Sequence, residues 1–154
     1  MLSTVTKDLV LDVSGGSSKA GTNVQIYKNN GSNAQQWSLK KLEINEFPEG
    51  VYEIHPYSDS SKALDVASGS TANLANVQIY TSNSTAAQKY YVKSLGYGGY
   101  YKFINCASYK AVDIKGGSSK AGANIDIYTD NGTSAQTWQI IDTGKKDAMI
   151  KKEE

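Results

Sequence analysis

The sequence predicts an all-β fold built from three equivalent units that close on one another, and three observations predict it. One segment of about thirty residues occurs three times without a gap. Each copy holds short alternating apolar runs separated by Gly, Ser, Asn and Thr clusters, the punctuation of strands and turns. No stretch sustains a helical period.

The copies run from Leu9 to Leu39, from Lys62 to Val92 and from Lys110 to Ile140. Their aspartates, Asp12, Asp65 and Asp113, are spaced by 53 and 48 residues, and a glutamine follows each one 23 residues later, at Gln35, Gln88 and Gln136. Between them stand Tyr27, Tyr80 and Tyr128, then Asn30, Asn83 and Asn131. Two residues beyond each glutamine comes Trp37, Tyr90 or Trp138.

Taken in order, Leu-Asp-Val, Val-Gln-Ile-Tyr and Trp-Ser-Leu give three strands to the first unit. Val51 to Ile54 and Tyr100 to Ile104 precede the second and third copies, so a complete unit has four strands. Three such units closing on each other remove most exposed sheet edges. The matching strand of the first unit would begin about fourteen residues before Asp12, ahead of residue 1, so that unit is read as lacking its first strand. The tail carries a short apolar piece, Ala148-Met149-Ile150, that could fill the gap; a domain dissected from a longer chain, or pairing with another molecule, are the alternatives. The chain is read as one domain over 1–154, with repeats at roughly 1–44, 45–94 and 95–144 and a tail at 145–154.

Composition narrows the function classes. The 154 residues carry 16 Lys+Arg against 15 Asp+Glu, a net charge of +1, and every basic residue is lysine. Neither a phosphate-neutralising field nor a guanidinium reader of bases is present, which argues against nucleic acid and against membrane surfaces. No run reaches the roughly 18 apolar residues that span a bilayer, so membrane insertion is not expected, and MLSTVTKD lacks the layout of a signal peptide. One cysteine, Cys106, cannot close an internal disulfide and is read as a small half-buried apolar side chain. One histidine, His55, excludes multi-histidine metal sites and most triads; it follows a strand-like Tyr-Glu-Ile and is read as a loop residue. Neither a metal nor a cofactor is expected.

Leu-Asp-Val, Val-Gln-Ile-Tyr and Gln-x-Trp, repeated three times between Leu9 and Asp142, resemble the ricin B-type β-trefoil lectin family. That resemblance implies a β-trefoil of pseudo-threefold symmetry, carbohydrate binding without catalysis, and up to three shallow sites for galactose-like or related sugars. Such domains occur as lectins, toxin subunits and modules on secreted hydrolases. The implied setting is therefore a larger secreted or cell-surface bacterial protein, with glycans as partners and a catalytic or toxin domain elsewhere in the full-length chain. The resemblance makes Asp12, Asp65 and Asp113 the acceptors of sugar hydroxyls and Tyr27, Tyr80 and Tyr128 the stacking rings. Physical chemistry agrees, since a sugar offers an apolar C–H face to a ring and a hydroxyl rim to a charged acceptor. Gln35, Gln88 and Gln136 steady the aspartates, Gln25 and Gln78 belong to the same pockets, and Trp37, Tyr90 and Trp138 are expected in the core.

The sequence departs from the family at several points. Ala34, Ala87 and Ala135 stand where better sugar binders have Asn; Asn30, Asn83 and Asn131 are the expected substitutes, because an amide both donates and accepts. Asp126 replaces Gln25 and Gln78 in the third copy, placing an extra negative charge near that pocket. Ser68-Gly69 replaces the paired glycines of the other copies and Leu74 replaces Gly21 and Gly122, so the second loop is expected to close differently. Asn30, Asn83 and Asn131 also match the N-glycosylation pattern, but they share one turn where Asn-Gly geometry is favoured. The three aspartates are symmetry mates, one per pocket, and no second acid recurs at a fixed offset to form a hydrolytic pair. The competing function is a degenerate trefoil that uses an open barrel edge to bind another protein.

Overall fold

In each Leu-Asp-Val run, period two sends the apolar pair to one face of a strand and the aspartate to the other. The computed structural model, which describes residues 8–41, 49–97, 99–142 and 148–152, follows this pattern: Leu11 and Val13 enter the core while Asp12 lies on the opposite face. The described residues form twelve strands and six 3-10 turns, with no α-helix among them. They are β1 (Leu9–Val13), β2 (Val24–Lys28), β3 (Trp37–Lys41), β4 (Gly50–Pro56), β5 (Lys62–Val66) and β6 (Val77–Thr81). The series continues with β7 (Tyr90–Ser94), β8 (Tyr100–Asn105), β9 (Ala111–Ile114), β10 (Ile125–Tyr128), β11 (Trp138–Asp142) and β12 (Ala148–Lys152).

Six strands form a closed antiparallel barrel. β12 pairs with β3, β3 with β4, β4 with β7, β7 with β8, β8 with β11, and β11 returns to β12. Three hairpins, β1–β2, β5–β6 and β9–β10, complete the units.

This ring bears out the gap-filling reading of the tail: among the described residues no strand precedes β1, and β12 supplies the missing one. β12 takes that place in the register used by β4 and β8: Ile150 pairs with Ile140 as Ile54 pairs with Leu39 and Phe103 with Val92. Val10 of β1 meets Lys151 of β12 just as Ala111 of β9 meets Ile104 of β8. Ile54, Phe103 and Ile150 are all fully buried, so the barrel interior fixes the register of the late strand as it does for the other two.

Trp37, Tyr90 and Trp138 are fully buried, as expected, among Leu11, Ile26, Leu64 and Ile79 of the same core. The indole N–H of Trp37 donates to the Leu11 carbonyl and that of Trp138 to the Val112 carbonyl, each at 3.1 Å, which satisfies the polar end of each buried ring. His55 is not a loop residue: it lies inside β4, with Nδ1 2.7 Å from the Lys62 carbonyl oxygen and Nε2 3.9 Å from Glu53. The strand runs two residues beyond Tyr-Glu-Ile because β3 keeps pairing through Ser38↔His55 and Trp37↔Pro56.

The three hairpins meet through a ring of amides. Asn23 Nδ2 donates to Asn124 Oδ1 at 2.7 Å, Asn124 Nδ2 to Asn76 Oδ1 at 2.8 Å, and Asn76 Nδ2 to Asn23 Oδ1 at 2.8 Å. Around it the N–H groups of Gly21, Leu74 and Gly122 donate to the carbonyls of Ile79, Ile127 and Ile26. Each unit thereby binds the next, and the backbone polar groups left by the short turns find partners.

Candidate functional site

Each unit folds the same set of side chains around its aspartate. In the first, β1 carries Asp12, β2 carries Gln25 and Tyr27, and the turn before β3 carries Gln35. Gln25 Nε2 donates to Asp12 Oδ1 at 3.0 Å, and Gln35 Nε2 donates to Asp12 Oδ2 at 2.9 Å and to the Lys28 carbonyl at 2.9 Å. Gln35 Oε1 accepts from the Asn30 N–H, so one fully buried amide ties the strand, the loop and the carboxylate together. The second unit repeats this arrangement with Gln78 and Gln88 on Asp65, at 2.9 and 3.1 Å, and with Asn83 N–H on Gln88. The third uses Gln136 on Asp113 at 2.9 Å and Asn131 N–H on Gln136.

Each aspartate is held by at least one glutamine amide, and each unit carries beside it a tyrosine with an open face. Tyr27, Tyr80 and Tyr128 are 43%, 44% and 37% exposed, which leaves the rings available to a ligand. A shallow cavity of about 480 Å³ includes Asp12, Gln25, Tyr27, Asn30 and Ala34. One of about 550 Å³ includes Asp65, Gln78, Tyr80, Asn83 and Ala87, and gains Ala107 from the following unit. Asn30, Asn83 and Asn131 use Oδ1 to accept the N–H two residues on, an Asx turn, so their first task is to shape the loop. Asn30 and Asn83 nevertheless border their cavities.

The second loop does not close differently. Ser68 and Leu74 adopt φ of 58° and 70°, close to the 64° and 88° of Gly15 and Gly21, and the turn keeps its shape. The backbone bonds on either side enforce this path, and the non-glycine side chains accommodate it with strain.

The third pocket differs in its floor. Asp126 pairs with Asp113 across β9–β10 where the other units pair Gln with Asp. It is fully buried, and neither of its oxygens has an amide, hydroxyl or ammonium partner. Burial, and next the charge of Asp113, push the Asp126 carboxyl up to about 7; Lys115 opposes the shift. Burial also raises Asp113, opposed by its hydrogen bonds with Gln136 and Asp126.

A further cavity of about 440 Å³ lies on the barrel flank, bordered by Tyr91, Lys102, Cys106, Tyr109 and Asp130. Cys106 is half-buried there. No group of three or more His, Cys, Asp or Glu side chains is arranged to hold a metal ion among the described residues. No described helix is long and apolar enough to cross a membrane.

A six-stranded barrel capped by three hairpins, with the same aspartate, glutamine and tyrosine set on each unit, defines a β-trefoil. The chain belongs to the ricin-type β-trefoil lectin domain-like family, which matches residues 1–80, 45–128 and 86–153. Among solved structures it is similar to ThreeFoil, a designed threefold-symmetric protein, with 36% identity over 87% of this chain and 91% of that one and a TM-score of 0.80. It is also similar to an exo-β-1,3-galactanase from Clostridium thermocellum, with 27% identity over 93% of this chain and a TM-score of 0.77. Of the galactanase chain the match covers 29%. The ricin B-like lectin of Macrolepiota procera, solved with lactose, shares the fold at 15% identity, 88% coverage of each chain and a TM-score of 0.67. None of the curated proteins compared with the chain matches it.

Proposed function

We propose that this domain is a non-catalytic carbohydrate-binding module with up to three shallow sites for galactose-like or related saccharides, tethering a larger secreted bacterial protein to glycans. The observation that carries this reading is the recurrence, in every unit, of an anionic acceptor fixed by glutamine beneath an exposed tyrosine. That pair matches the two faces of a pyranose, since the carboxylate takes hydroxyl hydrogens and the ring covers C–H groups. Packing alone explains the buried Trp37 and Trp138 but leaves the exposed tyrosines without a role. Shallow sites bury little surface, so each is weak, and useful affinity comes from engaging several at once.

The rival reading, a protein-interaction trefoil, rested on an open barrel edge, and β12 occupies that edge. The test is a glycan array on the folded domain, followed by Tyr27→Ala, Tyr80→Ala and Tyr128→Ala, singly and together. Stepwise loss of binding supports three lectin sites; silence of the folded wild-type domain across the array sinks the reading.

A further inference from the structure

The first two pockets fix their aspartate with two amide donors, whereas the third offers Asp113 only one, from Gln136. Where the second amide should be stands Asp126, one methylene shorter than glutamine and without a donor when ionised. It faces Asp113 directly across the β9–β10 pair, fully buried, with no hydrogen-bond donor on either oxygen. Two adjacent buried carboxylates cannot both be charged cheaply, and one proton held between them resolves the conflict. The proton then does what the Gln25 and Gln78 amides do: Asp126 O–H donates to the Asp113 carboxylate.

The geometry points to Asp126 as a positioning residue that makes the third saccharide site dependent on a proton, so that the domain has three competent sites when Asp126 is protonated and two when it is not. This rests on the carbohydrate reading of the pockets and extends it to one unit's regulation. When the proton leaves, Asp113 loses its second donor and gains a like charge beside it, and its carboxylate no longer keeps the orientation shared by Asp12 and Asp65. Among the described residues, the charged groups acting on Asp126 are Asp113 from β9 and Lys115 from the turn that follows it. Asn76, its neighbour across the hairpin interface, and Gln136 behind Asp113 are neutral. The first two units carry Gln25 and Gln78 at this position and lack the switch.

The test uses the full chain with Tyr27→Ala and Tyr80→Ala, which silence the first two sites through exposed rings. Lactose binding is measured by calorimetry from pH 5.5 to 8.5, and carbon-13 carboxyl shifts of the sugar-free protein are followed over the same range. With a carboxyl titrating near 7, apparent lactose affinity falls about tenfold between pH 6 and pH 8, following the shrinking protonated fraction. Adding Asp126→Gln flattens the profile and keeps the pH 6 affinity. An Asp126 carboxyl that titrates in the ordinary range overturns the shared proton. Titration near neutrality with an unchanged lactose profile overturns the coupling to the site. No lactose binding at any pH by the wild-type domain, with Asp126 titrating near 7, removes the saccharide reading, and the gating with it, while leaving the shared proton established.

Discussion

At the scale of residues, the molecule keeps two side chains whose local cost is visible. Asp126 is the largest. Its folded value of about 7 lies above the ordinary 3.8, so the protonated form is the one the fold favours. The associated stability is complete below pH 4, falls as the unfolded chain ionises, and is fully lost above about pH 7. Asp126→Asn is therefore expected to match the wild type near pH 4 and to exceed it by on the order of 2–4 kcal/mol at pH 8, read from urea unfolding at both values. A gain of equal size at both pH values would refute this account. Leu74 holds φ at 70° with its side chain largely exposed, where both other units have glycine. Leu74→Gly is expected to raise stability by about 0.5–1 kcal/mol, since relief of left-handed strain exceeds the added chain entropy. Sequence comparison of the repeats located both departures. It could not give the sign of their effects, because glycine's absence did not reveal that the loop keeps its path, nor did one Asp-for-Gln exchange reveal that the new carboxyl is sealed from solvent.

At the scale of elements, nearly every strand was legible, because alternation and turn residues recur in register and a pattern seen three times corrects its own ambiguities. β12 was the exception in kind. Ala148-Met149-Ile150 is too short to announce a strand by itself, and only the space left beside β1, β3 and β11 gives it a partner. Removing 148–154 should lower the melting temperature sharply by reopening two barrel edges, whereas an unchanged melting curve would contradict its place in the ring. Ile150→Ala, a milder change at a fully buried site, should cost about 2–5 kcal/mol in chemical denaturation. The amide ring went unread although its signal was present: Asn23, Asn76 and Asn124 share the 53 and 48 spacing of the aspartates. Its meaning lies in contacts between units rather than within one, which spacing along the chain does not reveal. Asn76→Ala strands Asn23 Oδ1 and leaves Asn124 Nδ2 only its 3.3 Å bond to the Ile125 carbonyl, so the expected loss is about 1–3 kcal/mol. Adding Asn23→Ala should cost much less than a second such loss, a non-additivity that a double-mutant cycle would show.

At the scale of the whole molecule, threefold repetition serves two ends at once. It closes a barrel of six paired strands, and it sets three equivalent aspartate and tyrosine pairs around one axis, which on the proposed lectin reading lets a multivalent glycan surface engage more than one. With Tyr128→Ala alone, binding to a densely glycosylated surface should weaken more than binding to a free monosaccharide, a contrast between surface plasmon resonance and calorimetry that a single-site protein would not show. The strand that completes the first unit is also the last to be made. While a ribosome still holds residues 148–152, β1 and β3 have been synthesised for more than a hundred residues without their neighbour. Local hairpins can form during that interval, yet the ring they belong to has a missing stave. At roughly 5–20 residues per second the wait is about 5–30 seconds, during which β1 and β3 are templates for any other strand nearby. The pace at which the chain between β3 and β12 is made, rather than the strength of any one contact, would then govern how much of the newborn domain reaches its closed form.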